Sequence, residues 1–162
     1  RWNARMAFST VAYAVMSIQA FKCVEIGLGK ECAARPGSKV HDPIRFDPTK
    51  VDRPGLGFTR DTNNAGGTEG GMTNGQPVVV RGTMKPISTL RKPLRSVDLD
   101  TRESVEAVVE RSDVCAVPAA GVVGEAMMAI VLVEAFLEKF GGDSIDEIRR
   151  NYQSYLEYLK GW

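Results

Sequence analysis

Apolar residues recur at helical spacing in three stretches of the chain. Residues 6–22 predict a first helix, whose apolar positions are Val11, Ala14, Val15, Ile18 and Phe21. Residues 119–140 are apolar on nearly every side, so we expect other elements to cover this helix on more than one face. Ser144 and Glu147 have the spacing of a capping box, and the last predicted helix that they open has its stripe at Ile145, Ile148, Tyr152, Tyr155, Leu156 and Leu159.

Between the helices the pattern predicts strands and one long loop. Alternating or β-branched runs predict strands at 23–26, 78–84, 97–99 and 104–109. Residues 31–61 are polar and rich in proline and glycine, which favours a loop with room for one hairpin. A loop of this length in a compact domain usually serves as a lid or flap. We find no repeat or internal boundary, so residues 1–162 are expected to form part of a single domain.

A glycine-rich stretch precedes the strand predicted at 78–84. Five glycines fall within ten residues: Gly66, Gly67, Gly70, Gly71 and Gly75. Without Cβ atoms, backbone amides here can approach a ligand closely and adopt positive φ. Five cations follow with no acidic residue between them, at Arg81, Lys85, Arg91, Lys92 and Arg95, which suits an anion such as a phosphate. From glycine content alone, a hairpin followed by a solvated basic stretch is the commoner structure.

Composition narrows the possible functions. The net charge of +1 argues against a general nucleic-acid binder, because such proteins carry a marked basic excess. The three cysteines, Cys23, Cys32 and Cys115, form no C-x-x-C pair, so neither a disulfide framework nor a zinc site is expected, and a reducing cytosol is the simplest compartment. His41 is the sole histidine and cannot by itself build a metal site or a Ser-His-Asp triad.

We expect neither a signal peptide nor a membrane span. No charged segment followed by an apolar core and a small-residue cleavage site opens the sequence. Glu125 and Glu134 interrupt the longest apolar stretch, which leaves its uncharged runs short of a spanning length.

Three further segments occur in an order typical of one enzyme family. They are S-I-Q-A-F-K with V-E-I-G at 17–27, T-N-N-A-G-G-T-E-G-G-M-T-N-G-Q-P-V-V-V-R-G-T-M-K-P-I-S-T-L at 62–90, and R-S-D-V-C-A-V-P-A-A at 111–120. The chain resembles the C-terminal half of chorismate synthase over nearly everything from about residue 12 onward. A glycine-rich loop alone would be weak support, whereas three ordered segments are specific and outweigh the simple hairpin interpretation.

The resemblance implies a lyase of the shikimate pathway of aromatic amino acid biosynthesis. Such enzymes make chorismate by 1,4-anti elimination of phosphate from 5-enolpyruvylshikimate 3-phosphate, using reduced FMN without net redox change. In some relatives NADPH serves as the reductant of the FMN. The chemistry needs a flavin cradle, cations at the leaving phosphate and a proton acceptor. No metal is implied.

The resemblance also assigns roles to residues of this chain. The residues implied to contact FMN are Gln19, Ala20, Gly70, Lys85, Pro86, Ile87, Ser88, Thr89 and Arg111. Arg111 and Asp113 are implied to face the substrate, and Asp113 to take part in proton removal together with flavin N5. The other interpretation of Asp113 is structural, as a cap of the following turn or an ion-pair partner of Arg111.

The fold implied by the resemblance is α+β. The family has a β-α-β sandwich, with a helical layer between antiparallel sheets and pseudo-twofold symmetry, and this chain would supply about half of it. Covering a helix from both sides is what residues 119–140 require. Half a sandwich would leave an apolar face bare, so we expect either the other half or self-association to cover it. The relatives are cytoplasmic homotetramers that act on a small molecule, without nucleic-acid or membrane partners.

Departures from the family pattern leave other functions open. The two histidines that act as acids and the arginines that hold substrate phosphate belong to the N-terminal half of the family, so we expect no turnover from this chain alone. Cys23 and Lys30 replace the usual glycine and aromatic residue. The alternatives are a catalytically incomplete fragment that binds flavin or phosphate, and a structural interaction domain that uses the glycine-rich loop as a protein contact.

Overall fold

The computed structural model describes residues 4–53, 55–110 and 114–161, with side chains described from Thr10 onward. Its regular elements, in chain order, are α1 (Ala4–Met16), β1 (Phe21–Ile26), β2 (Ile44–Phe46), β3 (Phe58–Arg60), β4 (Thr68–Glu69), β5 (Met72–Thr73), β6 (Val80–Met84), β7 (Arg95–Val97), β8 (Ser104–Glu106), α2 (Val117–Phe140) and α3 (Ile145–Lys160). Helices and antiparallel strand pairs are mixed along the chain, which confirms the predicted α+β class.

An antiparallel ladder of β1 and β6 lies at the centre of the structure. Phe21 pairs with Met84 at one end and Ile26 with Val80 at the other. α1 packs on this ladder and on α2, and the apolar cluster between them contains Val11, Ala14, Val131, Val80, Met127 and Met128. Gly82 permits this packing, because a Cβ at that position would lie 2.0 Å from Cε1 of the Phe21 ring.

The first helix is shorter than its apolar spacing predicts. It was expected to reach residue 22 but ends at Met16. The Ser17 hydroxyl donates to the carbonyl oxygen of Ala14 at 2.8 Å, which competes with continued helical pairing. Ala20 then adopts a φ of 69°, outside the right-handed helical region, and Phe21 enters β1. The apolar residue Phe21 therefore belongs to the ladder and not to the helix.

The segment predicted as a flap contains one hairpin and three short 3-10 helices. The 3-10 helices span Gly29–Ala34, Gly37–Lys39 and Pro48–Lys50. The hairpin pairs β2 with β3, and its Phe46 and Phe58 rings meet edge to face with centroids 5.4 Å apart. Whether the segment moves as a flap stays a prediction.

The first strand of the β7–β8 hairpin begins two residues earlier than predicted. The strand expected at 97–99 spans Arg95–Val97 instead, and the second is limited to Ser104–Glu106. The Asp98 carboxylate explains the shift, because it accepts from the amides of Asp100 and Thr101 at 2.9 and 2.8 Å and so starts a turn. Leu99, predicted inside a strand, is 93% exposed in that turn.

The second helix has two apolar sides, and the described part of the chain covers one of them. Met127, Met128 and Val131 face the core. On another side Val122, Ile130 and Val133 are 68%, 54% and 55% exposed. We call this exposed set, together with Val123 and Leu137, the bare stripe of α2. Among the described residues few apolar side chains are buried, which is a small core for 162 residues.

By length and composition, α2 is the one helix among the described residues that could cross a membrane. By that criterion, the expectation that Glu125 and Glu134 leave the apolar stretch too short to span a membrane was wrong. Core helices of soluble proteins meet the same criterion, so the helix alone does not indicate a membrane protein.

The third helix begins where the capping pattern placed it. Ser144 Oγ accepts from the amide of Glu147 at 3.2 Å, which satisfies a free donor of the first turn. The Glu147 carboxylate accepts from the amide of Asp143 at 2.8 Å, one residue before the position that a capping box uses. Packing against α2 is aromatic and involves Phe136, Phe140, Tyr152 and Tyr155.

Candidate functional site

Two of the segments predicted to bind the cofactor meet at one end of the β1–β6 ladder. The backbone amide of Lys85 donates to the carbonyl oxygen of Ala20 at 2.7 Å. Pro86 follows, and because proline has no amide hydrogen the pairing stops there. The chain therefore leaves the ladder at Lys85, and residues 86–91 form the wall of an open cleft.

The cleft has a volume of about 930 Å³. It is lined by Ala20, Met84, Lys85, Pro86, Ile87, Ser88, Thr89, Leu90, Arg91, Val114, Cys115, Ala116 and Val117. Its charged lining residues, within the part of the chain that the structure describes, are Lys85 and Arg91, both basic. Ser88 and Thr89 add hydroxyl groups to walls that are otherwise mainly apolar. Such a lining suits a ligand with an apolar body and an anionic group.

The start of α2 adds a feature that sequence reasoning missed. The helix was predicted from residue 119 but begins at Val117, and its first residue lines the cleft. The residue at its N-cap position, Ala116, makes no side-chain capping hydrogen bond, and the backbone amides of the first turn contribute positive partial charge near the basic side chains. Pro118 in the first turn could have indicated this start, because proline is common at the first positions of helices.

The structure gathers six of the predicted cofactor residues in the cleft. They are Ala20, Lys85, Pro86, Ile87, Ser88 and Thr89. Gln19 immediately precedes Ala20 but is not among the lining residues, and neither is Gly70. The predictions for Arg111 and Asp113 fall outside the described residues, although Val114, the next described residue along the chain, lines the cleft.

The glycine-rich loop is held at the opposite end of β1. Its root, which we define as residues 62–67 and 74–79, packs against Gly27 directly after β1. The amide of Gly27 donates to the Val79 carbonyl at 3.0 Å, and the amide of Val79 donates to the Gly66 carbonyl at 3.1 Å. Gly27 has a φ of 60°, and a Cβ on it would lie 2.0 Å from the Asn64 carbonyl oxygen. Glycine is therefore required at position 27 for this contact.

The tip of the loop, residues 68–73, is open in comparison. It is a small hairpin of β4 and β5 that turns at Gly70 and Gly71, both with positive φ. A Cβ on Gly70 would meet no atom within 4 Å. The tip thus has free space around the residue predicted to approach the cofactor.

Polar side chains brace the loop from within. Asn63 donates to the Pro77 carbonyl at 2.9 Å and accepts from the Gly67 amide at 2.8 Å, so it joins the two arms of the root. Glu69 pairs with Arg60 at 2.7 Å and accepts from Asn74 at 2.7 Å. Arg81 donates to the Gly27 carbonyl, so this cation supports the loop and is not part of the cleft.

Asp42 accepts three hydrogen bonds from the root and was not singled out from the sequence. The residue is 8% exposed, and its carboxylate accepts from the Thr62 hydroxyl and from the amides of Asn64 and Ala65 at 2.8 and 2.9 Å. Burial raises the pKa of Asp42, but these hydrogen bonds and the charge of Arg60 outweigh it and hold the pKa below its ordinary value. Asp42 is therefore ionised at neutral pH.

The described residues contain no group of three or more histidine, cysteine, aspartate or glutamate side chains that could hold a metal ion. The donors in the cleft are cationic, hydroxyl and amide groups, which recognise anions and polar organic groups.

Comparison with known proteins identifies a family with this mixed α+β architecture. The family model described as "Chorismate synthase" matches residues 4–137, including residues 4–10, which the sequence resemblance left unassigned. The chain belongs to the chorismate synthase family.

Named relatives and a solved structure agree with the family match. A chorismate synthase of Geobacter sulfurreducens is 60% identical over 163 residues, covering 100% of this chain and 41% of the relative. That of Solibacter usitatus is 60% identical over 161 residues, covering 99% of this chain and 40% of the relative. A crystal structure of chorismate synthase superimposes with a TM-score of 0.74 and 45% identity, covering 100% of this chain and 39% of that chain. This chain spans about two fifths of the length of the relatives it matches.

Proposed function

We propose that this chain forms the C-terminal, cofactor-binding portion of a chorismate synthase. The reaction would be the 1,4-anti elimination of phosphate from 5-enolpyruvylshikimate 3-phosphate, a carbon–oxygen lyase step of aromatic amino acid biosynthesis. The observation that carries the proposal is the cleft in which Ala20 and the stretch from Lys85 to Thr89 meet. Those are the segments in which the resemblance places the FMN contacts, and they are far apart in sequence.

The cleft fits FMN in size and in chemistry. Ligand sites commonly have volumes of about 300–1,000 Å³ with apolar walls and few polar groups, and this cleft lies in that range at about 930 Å³. Reduced FMN would supply an electron-rich ring next to the substrate. Gly70, whose surroundings are open, could present its backbone amide to the cofactor from the loop tip.

The residues of this chain would bind and orient the reactants. Lys85 and Arg91 attract anionic groups, and a cation beside a leaving phosphate stabilises the charge that builds as the C–O bond breaks. Ser88 and Thr89 offer hydroxyl donors that fix orientation. We assign Arg111 to substrate and FMN contacts, and Asp113 to accepting the proton that leaves the substrate ring.

Within this proposal the complete enzyme acts in the cytoplasm as a homotetramer, and NADPH is a possible source of electrons for the flavin. The bare stripe of α2 supports association with further protein, because contiguous apolar surface of this kind is normally covered. The rest of the polypeptide found in the longer relatives would supply the remaining acids and phosphate-binding arginines.

A chimera tests the proposal. The segment of the Geobacter sulfurreducens relative that aligns with this chain is replaced by these 162 residues, and chorismate formation is followed without oxygen in the presence of chemically reduced FMN. We expect turnover, and we expect Lys85→Met to lower FMN affinity by about tenfold or more. The matched variant Lys39→Met removes an exposed lysine of a 3-10 helix outside the cleft and should leave the affinity unchanged.

The same measurements separate the alternatives. A chimera that binds no FMN and forms no chorismate would overturn the proposal. If the 162-residue chain alone binds FMN without turnover, it acts by itself as an incomplete flavin-binding fragment. An interaction domain would show no change of unfolding temperature with FMN, whereas ligand at a hundred times its Kd adds about 2.7 kcal/mol.

A further inference from the structure

We propose that Asp42 is a positioning residue that sets the glycine-rich loop, and through the loop sets the Gly70 tip against the cofactor. This inference rests on the proposed function, because Gly70 matters only if the tip contacts FMN. Asp42 itself is placed at the root and not in the cleft.

The hydrogen bonds of Asp42 link parts of the chain that are distant in sequence. Its donors at Thr62, Asn64 and Ala65 lie 20, 22 and 23 residues further along. Asp42 lies just before β2, in the segment predicted as a flap. One buried carboxylate thus fixes the start of the loop to the flap segment.

The loop transmits that constraint to its tip through short steps. Ala65 is followed by Gly66 and Gly67, whose positive φ angles of 63° and 79° turn the chain into β4. Arg60 connects the same parts from the other side, since its guanidinium bonds to Glu69, the residue before Gly70. A Cβ on Gly70 would meet no atom within 4 Å, so Gly70 is open on that side, and its position depends on the β4–β5 hairpin, which is held by the root and by contact of β5 with α1.

A second aspartate with the same chemistry provides a matched control. The Asp98 carboxylate also accepts from two backbone amides and a threonine hydroxyl, those of Asp100 and Thr101. Its donors lie only two or three residues away, in the exposed turn between β7 and β8. Substitution of Asp98 therefore removes equivalent hydrogen bonds without touching the glycine-rich loop.

The experiment measures FMN affinity of folded protein in the chimera. Asp42→Asn keeps the side-chain shape but replaces one acceptor with a donor and removes the charge. We expect it to weaken FMN binding by about tenfold, and Asp98→Asn by less than about twofold. Titrations are run well below the unfolding temperature, because a residue that only stabilises the fold lowers that temperature without changing the affinity of folded molecules.

Each outcome decides the matter. If the unmodified chimera binds FMN and the Asp42→Asn and Asp98→Asn variants bind it equally well, the positioning role of Asp42 is overturned and the proposed function is not. An unmodified chimera that binds no FMN overturns the proposed function, and the role of Asp42 falls with it. If Asp42→Asn does not fold, Thr62→Val serves as the test, because it removes the hydroxyl that donates to Asp42. Weaker FMN binding in Thr62→Val supports the inference, and unchanged FMN binding overturns it.

Discussion

Lys85 and Ala20, 65 residues apart in the sequence, are joined by a 2.7 Å hydrogen bond from the amide of one to the carbonyl of the other. The bond extends the β1–β6 ladder by one step beyond its last paired strand residues, Phe21 and Met84. Ala20 accepts it with a φ of 69°, a conformation that a non-glycine residue adopts at some cost. The contact brings Ala20 and Lys85 together in one wall of the cleft.

Gly70 and Gly75 allow the role of the loop tip to be separated from loop strain. Both have positive φ, at 56° and 84°, and a Cβ on either would meet no atom within 4 Å. Alanine at either position should cost a similar 1–2 kcal/mol, roughly the penalty of left-handed backbone for a non-glycine residue. Gly70→Ala should weaken FMN binding more than Gly75→Ala, which lies in the root and acts on the tip only indirectly, as measured by titration of the chimera. Equal affinities in the two variants would remove Gly70 from the proposed site.

Substitution of Asp113 tests the assigned proton acceptor. Asp113→Asn in the chimera should retain FMN affinity and lose turnover by about 100-fold or more, the usual contribution of a general base. Single-turnover measurements with reduced FMN separate this loss from weaker binding. Asp100→Asn, an exposed carboxylate in the β7–β8 turn, is the control and should leave turnover unchanged. Full activity of Asp113→Asn would assign proton removal to another group.

The lowered pKa of Asp42 predicts a dependence of stability on acid. A carboxylate whose pKa is lower in the folded state than in the unfolded state stabilises the fold when the pH is above its ordinary pKa of 3.8. That contribution is lost as the pH falls through the pKa of the folded state. The difference in unfolding free energy between the unmodified chimera and Asp42→Asn should therefore stay constant from about pH 7 to 5 and shrink below about pH 4. Urea unfolding at several pH values measures it, and a difference that stays constant into acid would show that ionisation of Asp42 adds no stability.

Two serines of the last helix should respond oppositely to the same substitution. Ser144 caps α3, so Ser144→Ala should lower stability by about 1 kcal/mol. Ser154 is exposed in the middle of α3, where alanine has the higher helix propensity, so Ser154→Ala should raise stability by up to about 0.5 kcal/mol. Thermal unfolding of both variants provides the comparison. A similar effect of both would mean that the Ser144 hydroxyl contributes nothing as a cap.

Local patterns were enough to predict much of the fold. The periodicity and the Ser144–Glu147 pair located α2 and α3 closely, because helix positions and caps depend on nearby residues. The end of α1 was missed because Ala20 carries no sign of its positive φ in its residue type. The first strand of the β7–β8 hairpin was misplaced because the Asp98 turn competed with a weak β-branched signal.

The candidate site depended on resemblance more than on pattern. Composition suggested an anion near the basic stretch, yet only Lys85 and Arg91 of its five cations line the cleft. Arg81 instead supports the loop root. Asp42 could not be recognised from the sequence, because the amides it anchors lie more than 20 residues away and belong to no common motif.

The bare stripe of α2 has a practical consequence for handling this protein. Val122, Ile130 and Val133 are exposed on one side of a long helix. We expect such a surface to bind hydrophobic dyes and detergents and to promote aggregation at high concentration. These 162 residues should therefore aggregate less when they are produced as a fusion with the rest of a full-length family member than when they are produced by themselves.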